Sequence, residues 1–78
     1  MPRLPQVSGK VTIKALQRIG FQVISQKGSH VKLVRKIGNV TQKVIVPNHK
    51  QIKKGTLRSG ILKSIDLNIE EFINLLKK

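Results

Sequence analysis

Apolar residues recur at helical spacing along the first part of the chain. Between residues 9 and 19, Val11, Ala15, Leu16 and Ile19 fall on one helical face. Ser8 precedes that face and suits the N-cap, where a hydroxyl accepts from a free backbone N–H. Gly20 follows it and suits the C′ position. The period then changes from 3.6 to 2. Residues 21–27, 30–36 and 40–46 read as three strands, the last closed by Pro47. Lys27 and His30 flank Gly28-Ser29, and Gly-X is the signature of a two-residue type II′ hairpin. That register pairs Gln26 with Val31 and Ile24 with Leu33. Ile24, Val31 and Leu33 then share the core face. Ser25, Lys27, His30 and Lys32 share the other face near the turn, with Val23 and Val34 further along. Ile37-Gly38-Asn39 makes a second turn.

The alternation stops at Pro47. N-H-K-Q-I-K-K, residues 48–54, is a basic loop. Gly55-Thr56 opens a second helix with Leu57, Ile61 and Ile65 at i, i+4 and i+8. Gly60 inside it costs about 1 kcal/mol relative to Ala. Asn68 begins a last helix and forms a variant capping box with Glu71. Ile69, Phe72, Ile73 and Leu76 are its apolar stripe. Helix, three-stranded antiparallel meander, helix, helix predicts an α+β two-layer domain with the helices on one sheet face. One domain, residues 1–78, is expected. A chain this short buries only about 60% of its unfolded surface, so a surface site is expected rather than a deep cavity.

Charge adds what periodicity cannot. Lys and Arg number 16 against 3 acids, for a net charge of +13. The acids, Asp66, Glu70 and Glu71, all lie near the C-terminus. From residue 1 to 65 there are 14 basic residues and no carboxylate. Such self-repulsion points to an anionic partner. Lys10, Lys14 and Arg18 form a stripe on the first helix that is either a solvated face or a nucleic-acid contact. No segment has the Trp/Phe-rich face of a membrane anchor, and no apolar run nears the ~18 residues of a membrane span. The N-terminus lacks the apolar core of a signal peptide. A soluble cytoplasmic protein with no membrane contact is expected.

The inventory of reactive groups removes several enzyme classes. Two-metal nucleases need clustered carboxylates, and Glu70 and Glu71 sit in a helix first turn, where they offset the dipole. Two His and no Cys cannot make a zinc site without those acids. No metal or cofactor is expected. What remains is cation-assisted phosphate chemistry on RNA, whose 2′-hydroxyl is its own nucleophile. A histidine can serve as base or acid near neutral pH, and neighbouring lysines can stabilise the phosphorane charge. On the residues alone, His30 is either this base or an exposed strand-end histidine. His49 is either a solvated loop residue, a phosphate contact or the missing acid. Lys53 and Lys54 stand just before a helix start at Gly55-Thr56, where free N–H groups attract anions. With Phe21 and Phe72 the only aromatics, backbone and shape contacts are expected rather than base stacking.

The runs L-P-Q-V-S-G-K, A-L-Q-R-I-G-F, Q-K-G-S-H-V, V-P-N-H, K-K-G-T-L-R and I-E-E-F resemble the HicA toxin family of bacterial and archaeal toxin–antitoxin systems, from about Leu4 to Leu76. The resemblance implies a double-stranded RNA-binding-domain-like fold, an α-β-β-β-α sandwich with a short C-terminal helix. It implies an mRNA interferase, an endonuclease acting on mRNA. It places the catalytic histidine of the G-S-H motif at His30. It also implies a HicB-type antitoxin that covers the active site. Lys27, Ser29 and Lys32 beside His30, with Lys53, Lys54, Thr56 and Arg58 at the second helix, are the RNA-contact candidates. The chain departs from the family at Val11, where Glu is common, and at Ser25, where Arg is common. Its second helix, T-L-R-S-G-I-L-K, holds one residue more than the family pattern. The rival reading is a non-catalytic double-stranded RNA-binding module. A third is a protein whose basic surface serves an acidic partner alone.

Overall fold

Alternation along three successive strands gives this chain one buried sheet face and one open face. The computed structural model describes residues 4–77. Helix α1 (Gly9–Gln17) leads into β1 (Gln22–Lys27), β2 (His30–Ile37) and β3 (Val40–Pro47). The strands form an antiparallel sheet in the order β1-β2-β3. A π-helical segment (Thr56–Leu62), a 3₁₀ turn (Lys63–Ile65) and α2 (Ile69–Leu76) follow. Val31, Leu33, Val44 and Val46 point into one core with Ala15, Leu16, Phe21, Leu57, Ile61 and Phe72. The helices therefore cover one sheet face, and the α+β class expected from the periodicity is the class observed. Met1-Pro2-Arg3 and Lys78, included in the expected domain, lie outside the described residues.

The local signals for the two α-helices act as their chemistry requires. The Ser8 hydroxyl accepts from the Val11 N–H at 3.1 Å. Across Gly20, the Phe21 N–H bonds back to the Leu16 carbonyl and closes α1. Asn68 Oδ1 accepts from the Glu71 N–H at 2.8 Å, and Glu71 Oε1 accepts from the Asn68 N–H at 3.4 Å. That reciprocal pair is the capping box.

The hairpin register holds only near its turn. Lys27 pairs with His30 and Gln26 with Val31, but Leu33 faces Val23 rather than Ile24. A β-bulge at Ile24 inserts one unpaired residue. The expected core place of Ile24 is therefore wrong: it is 52% exposed. Every residue of β1 is exposed. An edge strand outside the helical layer gains nothing by strict alternation, so the bulge has little apolar burial to lose. The same slip moves Val23 opposite Leu33 and off the face assigned to it.

The second helix is not α-helical. Leu57, Ile61 and Ile65 are buried as expected, but so is Leu62. In an α-helix, positions 57 and 62 lie about 140° apart around the axis. Bonding from i to i+5 brings them nearly into line, and a following 3₁₀ turn eclipses i with i+3. The Lys63 N–H bonds to the Arg58 carbonyl, five residues back. Ile65 then falls over Leu62. Winding this way keeps four apolar residues on the core.

Two arginines are used inside the fold. Arg18, part of the basic stripe, donates to the Leu75 carbonyl near the end of α2. Arg35 lies over the Phe21 ring, 4.7 Å from its centroid. It also donates to the Ile19 carbonyl and to Gln42 Oε1, both at 3.0 Å. Gln42 Nε2 donates to the Ile65 carbonyl at 3.3 Å. One polar chain thus ties the α1–β1 turn, β2, β3 and the 3₁₀ turn at the sheet end away from His30.

At the opposite end, α1 meets β3 without room for a side chain. A Cβ on Gly9 would lie 2.2 Å from the Pro47 carbonyl oxygen and 2.7 Å from Asn48 Cα. Both are backbone atoms and cannot swing away. Gly55, by contrast, has helical angles (φ −62°, ψ −41°) and open space around it. Urea denaturation should therefore separate two chemically identical changes. Gly9→Ala should cost at least about 2 kcal/mol, whereas Gly55→Ala should stabilise by about 0.5–1 kcal/mol.

Candidate functional site

The β1–β2 turn fixes the first two members of the site. Gly28 has φ 61°, and Ser29 does not have positive φ, the combination a type II′ turn needs. Gln26 Nε2 donates to the Gly28 carbonyl at 3.1 Å and braces the corner. Lys27 faces His30 across this turn, and Ser25 faces Lys32 two pairs further along. Directly opposed residues share a sheet face, so all four project to the side the helices leave open. On the next strand Ile45 pairs with Lys32, and Pro47 pairs with His30.

Ser25, Lys27, His30, Lys32 and Ile45 line a shallow groove of about 530 Å³. No carboxylate is among them. Two ammonium groups, an imidazole and a hydroxyl converge on a surface whose floor includes one exposed isoleucine. Such a groove attracts a polyanion and gives it a titratable group to meet.

The groove rests on a hydrogen-bonded backbone unit. The Asn48 N–H donates to the Ser29 carbonyl at 2.6 Å, extending the β2–β3 ladder by one rung past Pro47. The Gly9 N–H donates to the His49 carbonyl at 2.9 Å, and the Ile52 N–H to the Val7 carbonyl at 2.8 Å. Turn, loop and helix start are therefore one assembly. Ser29 serves it through its carbonyl and is not part of the groove lining.

The other candidate residues are distributed elsewhere. Lys53, Lys54 and Thr56 are exposed where the chain enters the π-helical segment, and they do not line the groove. Arg58 lines a second hollow of about 990 Å³ with Lys63, Asp66, Glu70 and Glu71. That hollow gathers all three acids of the chain. Among the described residues, no three of His, Asp or Glu come together in a way that could hold a metal ion, and no helix is long and apolar enough to cross a membrane.

Sequence reasoning overlooked Ile45, Asn48 and the steric role of Gly9. Ile45 had a signal. V-I-V in residues 44–46 does not alternate, so one of the three must face away from the core. Gly9 had a weaker one, a glycine in the first turn of a helix, where it lowers helix propensity without being needed for the cap. Asn48 had none, because its contribution is made by its backbone.

Fold and groove together define a class: a small, strongly basic α+β domain with an anion-directed groove on its open sheet face. A family model described as the HicA toxin of bacterial toxin–antitoxin systems matches residues 9–67. The chain belongs to the HicA toxin family, and its layers have the α-β-β-β-α order of that family's double-stranded RNA-binding-domain-like fold. No curated protein and no solved structure matches it. Membership carries a toxin role and an antitoxin partner.

Because Ile45 is 52% exposed and Val44 is 3% exposed, neighbouring substitutions should differ in kind. Ile45→Ser should change unfolding free energy by about 1 kcal/mol or less. Val44→Ser should cost at least about 2 kcal/mol, through lost burial and a buried hydroxyl. Chemical denaturation of both variants checks this and tests whether the groove face is separable from the core.

Proposed function

We propose that this toxin is a metal-independent endoribonuclease acting on mRNA in the cytoplasm, with His30 as its catalytic base. The observation that supports this best is the groove itself. It sets His30 between Lys27 and Lys32, on an open sheet face, with no carboxylate in its lining. His30 takes the proton from a 2′-hydroxyl as that oxygen attacks the adjacent phosphate. Lys27 and Lys32 stabilise the charge gathering on the phosphorane oxygens. The Ser25 hydroxyl is placed to hydrogen-bond the same anion. DNA lacks the nucleophile and is not cut.

Lys53, Lys54, Thr56 and Arg58 act further along the strand, as contacts to the sugar-phosphate backbone. Such contacts position the RNA and carry no sequence information. A HicB-type antitoxin silences the enzyme by occupying the groove, presenting carboxylates to Lys32 and to the edge at His30. The alternative, a non-catalytic double-stranded RNA-binding module, uses the same cations and parts from this reading at the imidazole.

Two experiments separate these outcomes. Wild-type protein should cut purified RNA in the presence of EDTA. His30→Ala should reduce cutting by about 10²–10⁴-fold while RNA affinity stays within a few-fold. Cutting by His30→Ala at the wild-type rate sinks the catalytic assignment, and binding without cutting by the wild type favours the binding module. Replacing Lys53 and Lys54 together with Ala should weaken binding and lower the salt slope by about 2. An unchanged slope removes these two lysines from the RNA path.

A further inference from the structure

In-line cleavage of RNA needs a proton donor for the departing 5′ oxygen as well as a base, and the groove lining supplies only one imidazole. From the backbone around Pro47 we infer that His49 is this donor, the general acid that acts opposite His30. The inference rests on the endoribonuclease reading and adds to it the residue that completes the proton transfers.

Three observations carry it. First, the register places His30 directly across from Pro47, and opposed Cα atoms in such a ladder are about 5 Å apart. His49 follows two residues later, so its Cα lies within about 12 Å of that of His30. Two imidazoles that far apart at their roots can reach the two sides of one phosphate. Second, the segment is held from two directions. Asn48 N–H is bonded to the Ser29 carbonyl at 2.6 Å, and the His49 carbonyl to the Gly9 N–H at 2.9 Å. The side-chain-free contact at Gly9 fixes the same stretch sterically. Third, every one of these restraints uses backbone atoms of residues 47–49. Any amino acid at 49 could supply the carbonyl. The backbone leading into and through residue 49 is therefore fixed, while the exposed His49 side chain makes no hydrogen bond to the described residues and is free for a substrate.

The step balances. As the 2′ oxygen bonds to phosphorus, His30 takes its proton. As the bond from phosphorus to the 5′ oxygen breaks, the His49 imidazolium gives a proton to that oxygen. The products are a 2′,3′-cyclic phosphate and a 5′-hydroxyl. Each histidine ends in the other's starting state, and exchange with water resets both.

A general acid becomes dispensable when the leaving group needs no proton. The test compares an ordinary RNA oligonucleotide with one whose scissile 5′ oxygen is replaced by sulfur, a good leaving group as a thiolate. His49→Ala and His49→Asn should cut ordinary RNA about 10²-fold or more slowly than wild type. Both should recover to within a few-fold of wild type on the thio-substituted substrate. His30→Ala should stay slow on both. Circular dichroism melts identical to wild type confirm that the variants are folded, and the Asn variant serves if Ala unfolds. The inference is overturned if the His49 variants cut ordinary RNA within about 3-fold of wild type. It is equally overturned if their loss is the same on both substrates. Wild-type protein that cuts neither substrate overturns the endoribonuclease reading itself, and the acid with it.

Discussion

The close approach of α1 to the end of β3 governs what lies above it. Gly9 stands against the carbonyl of Pro47 and the Cα of Asn48, where a single methyl group would overlap backbone. That contact lets the Gly9 N–H reach the His49 carbonyl. It satisfies one of the donors that a helix start leaves free. It also keeps the strand in register for one rung beyond Pro47, at Asn48 and Ser29. The β1–β2 turn is thereby tied to the helical layer through β3, although the turn itself buries almost nothing. A hairpin with six exposed residues on its outer strand would otherwise be marginal. The place of His30 is set by its pairing to both neighbouring strands, and this contact anchors the end of β3 on which that pairing rests.

Charge is partitioned in a way that suits the same arrangement. Arg18 and Arg35 are engaged within the fold, where guanidinium groups can satisfy several carbonyls at once. The groove around His30 uses lysines, compact and strongly hydrated, which remain available to an incoming anion. The three acids are gathered at the junction of the 3₁₀ turn and α2, away from the groove lining. A carboxylate beside His30 would compete with RNA phosphate for Lys27 and Lys32. Keeping the acids elsewhere leaves the +13 chain repelling itself, and an anionic partner relieves that repulsion. On the proposed function, RNA and an acidic antitoxin face would meet the same cations, and binding of one would oppose binding of the other.

Much of this was legible in the sequence, and the parts that were not share a cause. The caps at Ser8 and Asn68, the break at Gly20 and the Gly28-Ser29 turn are local, and each is decided by residues within one helical turn or one hairpin corner. The pairing of Lys27 with His30 followed from the turn alone. The bulge at Ile24 could not be read, because it depends on whether helices cover β1, and they do not. The presence of Ile45 in the groove was visible only as a failure of alternation. The roles of Gly9 and Asn48 depend on two segments far apart in sequence meeting through backbone atoms, and no side-chain pattern reports such a meeting. At the groove, the facing of Lys27 and His30 was legible in the turn, and the backbone unit beneath them was not.

The second helix shows how a change of winding can keep a core intact. Had α-helical winding continued, either Leu57 or Leu62 would have turned from the core toward solvent. Widening to i→i+5 bonds over Thr56–Leu62 removes that conflict, and the 3₁₀ turn then brings Ile65 into line with Leu62. The cost is weaker hydrogen-bond geometry in a short stretch. The one leucine kept from solvent offsets it, since its burial is worth roughly 1.5–3 kcal/mol. The winding also sets which way the polar residues face. Arg58 sits beside Asp66 and the α2 start rather than with the lysines of the groove. The same winding therefore sets both the packing of the core and the surface on which Arg58 stands.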